Sequence, residues 1–184
     1  MADASVRVAG PDDAGSIADV QAAAWRSTYA SLLPADVLAD LGSPAAQEQW
    51  RQAVAAPPSP RHRVLVALAG ADVVGFTAFG PSEDTDLVAE VDAEITALSV
   101  LPGRSREGHG SRLVNATVDH LRGDGFLYVR VWLGLPGGPD DALHRFLAGA
   151  GWAEDGARRR LDLHGDASVV VPQVRLHAAI GDQG

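Results

Sequence analysis

The stretch "LPGRSREGHGSRLV", residues 101–114, gathers Arg104, Arg106, Arg112 and Glu107 around Gly108 and Gly110. These two glycines permit positive φ and close backbone approach. Val114, Val118 and Leu121 follow at helical spacing and predict a helix over about 109–122, stopped by Gly123 and Gly125. The unbonded N–H groups of its first turn, near His109, Gly110 and Ser111, then point into the glycine turn and favour an anion there. The arginines add charge, so a polyphosphate-bearing ligand suits the pattern.

Three ligand classes fit such a turn to different degrees. "GRSREGHG" has the G-x-x-x-x-G spacing of a P-loop, but His109 and Gly110 stand where Lys and Ser/Thr are required. A dinucleotide fingerprint needs G-x-G-x-x-G beside the first strand, and only G-x-G occurs, late in the chain. The third class is the pyrophosphate loop of an acetyl-CoA enzyme. Taken alone, the stretch reads equally well as a plain turn with solvated arginines.

Other residues invite chemistry less sharply. Glu94 lies in the strand-like run "AEITALSV", as a base or as a solvated strand glutamate. Residues 83–94 hold six acids, Glu83, Asp84, Asp86, Glu90, Asp92 and Glu94, which form a solvated loop or an acidic mouth attracting a cationic amine. Trp25 and Tyr29, four apart, share one helix face as core or as a binding wall. The histidines show no metal-ligand spacing, and no G-x-S-x-G nucleophile motif occurs. No metal is expected.

The elements that must position these residues read as follows. "VRVAG" is a short strand, and Pro11 with Asp12 and Asp13 opens a helix through Ile17, Val20 and Ala24 toward Tyr29. A second helix restarts at Pro34 and runs through Trp50 to Val54, broken by "AAPPSP". "RVLVALAG" and "DVVGFTAFG" form a hairpin about Gly70–Ala71. The strand before the glycine turn, the helix after it, the strand "FLYVRVWLGL", the helix "DALHRFLAGA" and a closing pair of strands complete the chain. The order β-α-α-β-β-β-α-β-α-β-β gives a mixed α/β class (α+β type) with a largely antiparallel sheet, expected as a single domain over 1–184.

The motifs in this order resemble the GNAT family of N-acetyltransferases over nearly the whole chain. Val100-Leu101-Pro102 followed by Ser105-Arg106-Glu107-Gly108-His109-Gly110 is similar to the family's V-x-P and R/Q-x-x-G-x-G/A. "PDDALHRFLAGAGWAEDGARRR" resembles its last motif, N-x-x-A-x-x-F-Y-x-x-x-G-F/W, and "DVQAAAWRSTYASLLP" its paired first helices in one bacterial branch. The resemblance implies a sheet splayed between the fourth and fifth strands, with acetyl-CoA lying across the gap. Leu98, Ser99 and Val100 would pair with the pantetheine arm, and the Val100 N–H would stabilise the oxyanion. Residues 104–111 would hold the pyrophosphate, Glu94 would be the general base, and Trp25 and Tyr29 would line the acceptor site. Asp140 falls on the family's Asn, counted with the donor-binding residues. Ser105 replaces the family's Arg/Gln, and Leu147 replaces its Tyr, so the usual acid for the leaving thiolate is missing. His144 is its substitute, or a surface histidine.

The implied reaction moves acetyl directly to a primary amine. The alternative is a GNAT-fold module that binds acyl-CoA with weak or lost catalysis, and a nucleotide-binding protein using the glycine turn is a third reading. Composition bounds the partners. A net charge of -9 over 184 residues opposes nucleic-acid binding, and no Cys is present for disulfides, thiolate metal sites or nucleophiles. No apolar run is long enough to span a membrane, and the N-terminus lacks a signal-peptide pattern, so a cytoplasmic protein is expected. "SVVVPQVRLHAAI" is a candidate edge strand for a homodimer.

Overall fold

In the computed structural model, which describes residues 4–135, 138, 140–162 and 170–181, alternation along the strands decides the layers. Strand β1 (Ala4–Val8) leads through one 3-10 turn, Pro11–Asp13, into helix α1 (Ala14–Tyr29). Asp13 takes its Arg7 partner (2.7 Å) and the Gly10 N–H (2.7 Å), which fixes the entry into the helix. Helices α2 (Ala35–Asp40) and α3 (Pro44–Ala55) follow, then strands β2 (Arg63–Ala69), β3 (Asp72–Pro81) and β4 (Asp92–Val100). Helix α4 (His109–Gly123), strand β5 (Tyr128–Gly134), helix α5 (Asp141–Gly149) and strands β6 (Ala153–Asp162) and β7 (Val170–Ala179) complete the order.

The seven strands form one mixed sheet in the order β1-β2-β3-β4-β5-β7-β6. All neighbours are antiparallel except β4 and β5, which are parallel. Leu65 and Ala67 of β2 face one side with Val131 and Leu133 of β5 and Val174 and Leu176 of β7. Leu113 and Leu121 of α4 and Leu147 of α5 cover that face. Val64 and Val66 alternate to the opposite side, where Ile17 and Val20 of α1 cover them together with Phe76.

Two expectations are corrected here. The helix read from Pro34 to Val54 is two helices, because Ser43-Pro44 is a stop and a restart. Proline disfavours the helical conformation at the residue before it, and Ser43 instead caps α3, its Oγ accepting from the Ala46 N–H (3.2 Å). The strand expected at a dimer edge, β7, lies inside the sheet, bonded to β5 on one side and β6 on the other. The edges are β1 and β6, and Arg158 and Arg160 stand exposed on the latter, a charge pattern that discourages strand addition. Among the described residues, no helix is long and apolar enough to cross a membrane.

Candidate active site

The site begins where two strands part. Asp92–Ile95 of β4 pair with Tyr128–Val131 of β5, and there the pairing stops. Strand β5 goes on to Gly134 along β7, while β4 goes on to Val100 along β3. A register shift in the β3–β4 pairing, after Ala78 and before Phe79, marks the bend. The Leu101 N–H bonds to the Val74 carbonyl (2.8 Å), so in antiparallel alternation the Ser99 backbone also faces β3. Leu98 and Val100 therefore turn their N–H and C=O groups into the gap. Of the three residues expected to pair with a ligand arm, Leu98 and Val100 offer backbone groups and Ser99 only its side chain.

The gap is the floor of a cleft of about 870 Å³. At one end lies the glycine turn. Gly108 has φ 82° and Arg106 has φ 68°, the one positive φ of a non-glycine among the described residues. The first amide to bond back into α4 is that of Arg112, to the Gly108 carbonyl (3.1 Å). The N–H groups of His109, Gly110 and Ser111 precede that bond and open toward the turn. Arg104, Ser105, Arg106, Gly108, Gly110 and Ser111 line the cleft. Opposite Gly110 stands Phe146 of α5, which an added Cβ would meet at an ordinary contact distance of 3.8 Å. These features fit a pyrophosphate with an extended arm running along β4.

Glu107 and His109 do not line the cleft with their side chains. The His109 ring is buried at 2% exposure, its Nε2 3.4 Å from Glu107 Oε2. Helix α4 turns its buried face, including His109, into the core, and the exposed Glu107 side chain meets the His109 ring instead of the cleft.

At the other end of the exposed β4 edge, about 20 Å along the strand at 3.3 Å per residue, stands Glu94. It lines the cleft half-buried. Burial raises its pKa above the ordinary carboxylate value, Asp84 and Glu83 push the same way, and Arg159 opposes them. Trp25 and Tyr29 of α1 form the facing wall, with ring centroids 4.9 Å apart. The Tyr29 hydroxyl donates to Asp140 Oδ1, and the Gly134 N–H donates to Asp140 Oδ2 (2.6 Å). Burial, then the Asp140 hydrogen bond, raise the Tyr29 pKa. Asp140 lines the cleft, but both its oxygens are engaged, as suits a carboxylate that has no N–H to offer. It ties α1 to the end of β5.

Leu147 is fully buried and packs in the main core. His144 faces Glu154 (3.3 Å) and does not line the cleft, so no side chain of α5 supplies an acid in place of the missing phenol. Three of the six acids of the run are spent on internal partners. Asp84 and Asp86 bind Arg175 (2.9 and 2.6 Å), and Asp92 binds Arg130 (2.8 Å). The expected free acidic mouth is therefore a strap of ion pairs, because two buried arginines require these carboxylates.

Sequence reading missed Trp132, Arg159 and Gln173, all on the cleft wall. Alternation in "ARRRL" sets Arg159 on the same side as Leu161, a usable signal, but nothing local says which side faces the cleft.

The comparisons with known proteins agree with this geometry. The model of the acetyltransferase (GNAT) family matches residues 21–152. The uncharacterized N-acetyltransferase YuaI of Bacillus subtilis is 29% identical over 129 residues, 70% of each chain. The structure of PaiA N-acetyltransferase from Thermoplasma acidophilum in complex with coenzyme A superposes with a TM-score of 0.75 at 16% identity, covering 96% of this chain and 99% of that one. YncA from Salmonella typhimurium, solved with its cofactor acetyl-CoA, gives 0.69 at 15% identity, covering 99% and 96%. At these identities the two structures show the fold.

Proposed function

The chain belongs to the acetyltransferase (GNAT) family and is an acyltransferase, and from that premise we propose that it moves an acetyl group from acetyl-CoA directly to a primary amine. Enzymes of this family use acetyl-CoA as donor and need no metal. The observation that carries the reading is the parted pair β4 and β5, with an anion-ready turn at one end of the exposed edge and a carboxylate of raised pKa at the other.

Each residue then has a task. The N–H groups of residues 109–111 and the guanidinium groups of Arg104 and Arg106 hold the pyrophosphate. Leu98 and Val100 hydrogen-bond the pantetheine arm. Acetyl-CoA supplies an activated acyl group. Glu94, directly or through a water, accepts the proton that an ammonium must lose before its nitrogen can attack. Its raised pKa makes it a stronger base than an ordinary carboxylate. Of the two N–H groups that open into the gap, that of Leu98 is nearer Glu94 and receives the negative charge that builds on the carbonyl oxygen, whereas Val100, about 20 Å from the base along the strand, is too far away for the oxyanion part expected of it. Trp25 and Tyr29 wall the acceptor.

Among the described residues, no side chain is placed to protonate the leaving thiolate. Tyr29 is unsuited to it, since losing its proton would put a phenolate against the Asp140 carboxylate. A missing general acid costs on the order of 10²–10⁴ in rate. A thiol of pKa about 8.5 still leaves near neutral pH, so the reaction is slowed and not abolished. The buried Leu147 also favours a second reading, a module that binds acyl-CoA with little turnover.

Thermal stability against CoA, acetyl-CoA, ATP and NAD, with thiol release over an amine panel, separates these readings. A ligand that binds only the folded chain raises Tm by mass action. Stabilisation by acetyl-CoA together with thiol release supports the enzyme. Stabilisation without release from any amine supports the binding module. Stabilisation by ATP alone overturns both.

A further inference from the structure

The polar face of the second half of the sheet carries three buried or half-buried arginines, and they are not treated alike. Residues paired across strands share a face, so the register Trp132↔Arg175, Gly134↔Gln173 and Gln173↔Arg159 puts Trp132, Arg175, Gln173 and Arg159 on one side. Glu94, opposite Arg130, joins them. Arg175 is held by Asp84, Asp86 and Asp155, at 2.9, 2.6 and 2.7 Å. Arg130 is held by Asp92 at 2.8 Å and Asp155 at 3.7 Å.

Arg159 differs. Its Nε donates to Gln173 Oε1 (2.7 Å) and its guanidinium lies over the Trp132 ring, 4.4 Å from the centroid. Among the described residues, no carboxylate oxygen lies within 4.0 Å of it. Two contacts thus engage Nε and one face of the fork, no hydrogen bond of its terminal nitrogens is made among the described residues, and Arg159 lines the cleft. Its platform Trp132 lies two residues along β5 from Arg130, the partner of Glu94, and Glu94 and then Asp84 are the charges that favour its charged form.

A guanidinium held by an aromatic face and one hydrogen bond, with no carboxylate in contact among the described residues, is suited to accept a planar anion in two parallel bonds. We propose that Arg159 docks a carboxylate of the acceptor, so that the substrate is a small amino acid whose amine reaches Glu94 while its carboxylate reaches Arg159. The site thus recognises both charges of an amino-carboxylate and disfavours a polyamine, whose second cation would meet Arg159. This inference rests on the acetyltransferase reading above.

The test compares free amino acids with their carboxamides and with spermidine as acceptors, using thiol release from acetyl-CoA. The expected preference for the acid over its amide is about tenfold or more in kcat/KM, the scale of one charge-assisted hydrogen-bonded pair. Arg159→Gln should raise KM for the acid by about the same factor, leave the amide unchanged and leave the Tm shift by CoA unchanged. Arg159→Lys should restore part of the preference, because it keeps the charge and loses the fork. Equal losses for acid and amide in Arg159→Gln would mean a structural role and overturn the proposal, as would a wild-type preference for amides or spermidine. A second readout does not need turnover: the Tm of the CoA-saturated protein with each acid or amide. If no amine releases thiol, the acetyltransferase reading fails, and an acid-specific Tm rise lost in Arg159→Gln still supports the carboxylate site. Absence of that rise overturns it. A dipeptide arm, with and without an amidated C-terminus, distinguishes a free amino acid from a peptide end as the source of the carboxylate.

Discussion

One face of the sheet is covered in two unlike ways. Over β2 and β3, Ile17 and Val20 of α1 pack on Val64, Val66 and Phe76, and Trp50 of α3 meets the Phe76 ring edge-on at 4.9 Å. Over β5, β7 and β6, the same face carries Arg130, Trp132, Gln173 and Arg175, and the segment after β3 folds across them with Asp84 and Asp86. The first cover is stabilised by removing apolar area from water, about 25 cal/mol per Å². The second repays a desolvation cost with ion pairs and gains little net stability. It supplies instead an ordered electrostatic wall beside Glu94. The cleft opens at the seam, where β4 leaves β5.

Perturbing each cover tests this contrast. Phe76→Ala should cost about 3–5 kcal/mol in a denaturant melt, nearly independent of pH and salt. A strongly salt-dependent loss would break the distinction. Arg175→Met should cost about 3 kcal/mol at neutral pH, since it strands half-buried Asp155 and Asp84. Burial pushes the Asp155 carboxyl up, but the Ala157 N–H and Arg175 outweigh it and hold it below its ordinary value. A depressed carboxylate stabilises the fold above its unfolded pKa, and that contribution fades as pH falls through the folded one. The penalty in Arg175→Met should therefore shrink below about pH 4, near the ordinary Asp value, and an equal loss at every pH would assign Arg175 to packing.

At the seam itself, Glu94→Gln should lower kcat by about 10² or more, the lower bound for a lost general base. Its effect on Tm should have the opposite sign. A raised carboxyl pKa stabilises the fold below the unfolded pKa, and this is lost as pH rises through the folded value. Above that value the amide should therefore match or exceed wild type in Tm, and a large drop in Tm would make Glu94 structural. The smallest effect is expected from Asp84→Asn, which keeps an oxygen for the Trp132 N–H (2.9 Å) and removes a charge that pushes Glu94 up. The acid limb of the kcat profile should move to lower pH, and a shift upward would contradict the wall's influence on the base.

The first cover was legible in the sequence and the second was not, for a physical reason. Apolar periodicity at Ile17 and Val20, or Val114 and Leu121, is local and survives in any context. Asp84 and Asp86 meet Arg175 about ninety residues away, and a run of six acids looks the same whether solvated or paired. Glu94 and the 104–111 turn were reached through motif order, whereas Arg159 depends on which face of β6 meets Trp132. The break at Ser43-Pro44 was locally encoded, yet the helical pattern on both sides hid it. Burial of His109 came from the helix phase of α4, which sets it on the same buried side as Leu113.

The four-residue pairing between β4 and β5 has a mechanical consequence. Most sheets resist bending because each strand is laced along its length to both neighbours. Here the lacing at the centre is short, and the two halves are joined besides through the helix layer, the Tyr29–Asp140 tie and the strap of Asp84 and Asp86 on Arg175 and Trp132. Such a sheet behaves as two stiff plates on a narrow hinge. A chain laid along the open edge of β4 would act as a batten, locking the angle between the plate that carries Glu94, Trp25 and Tyr29 and the plate that carries Trp132 and Arg159.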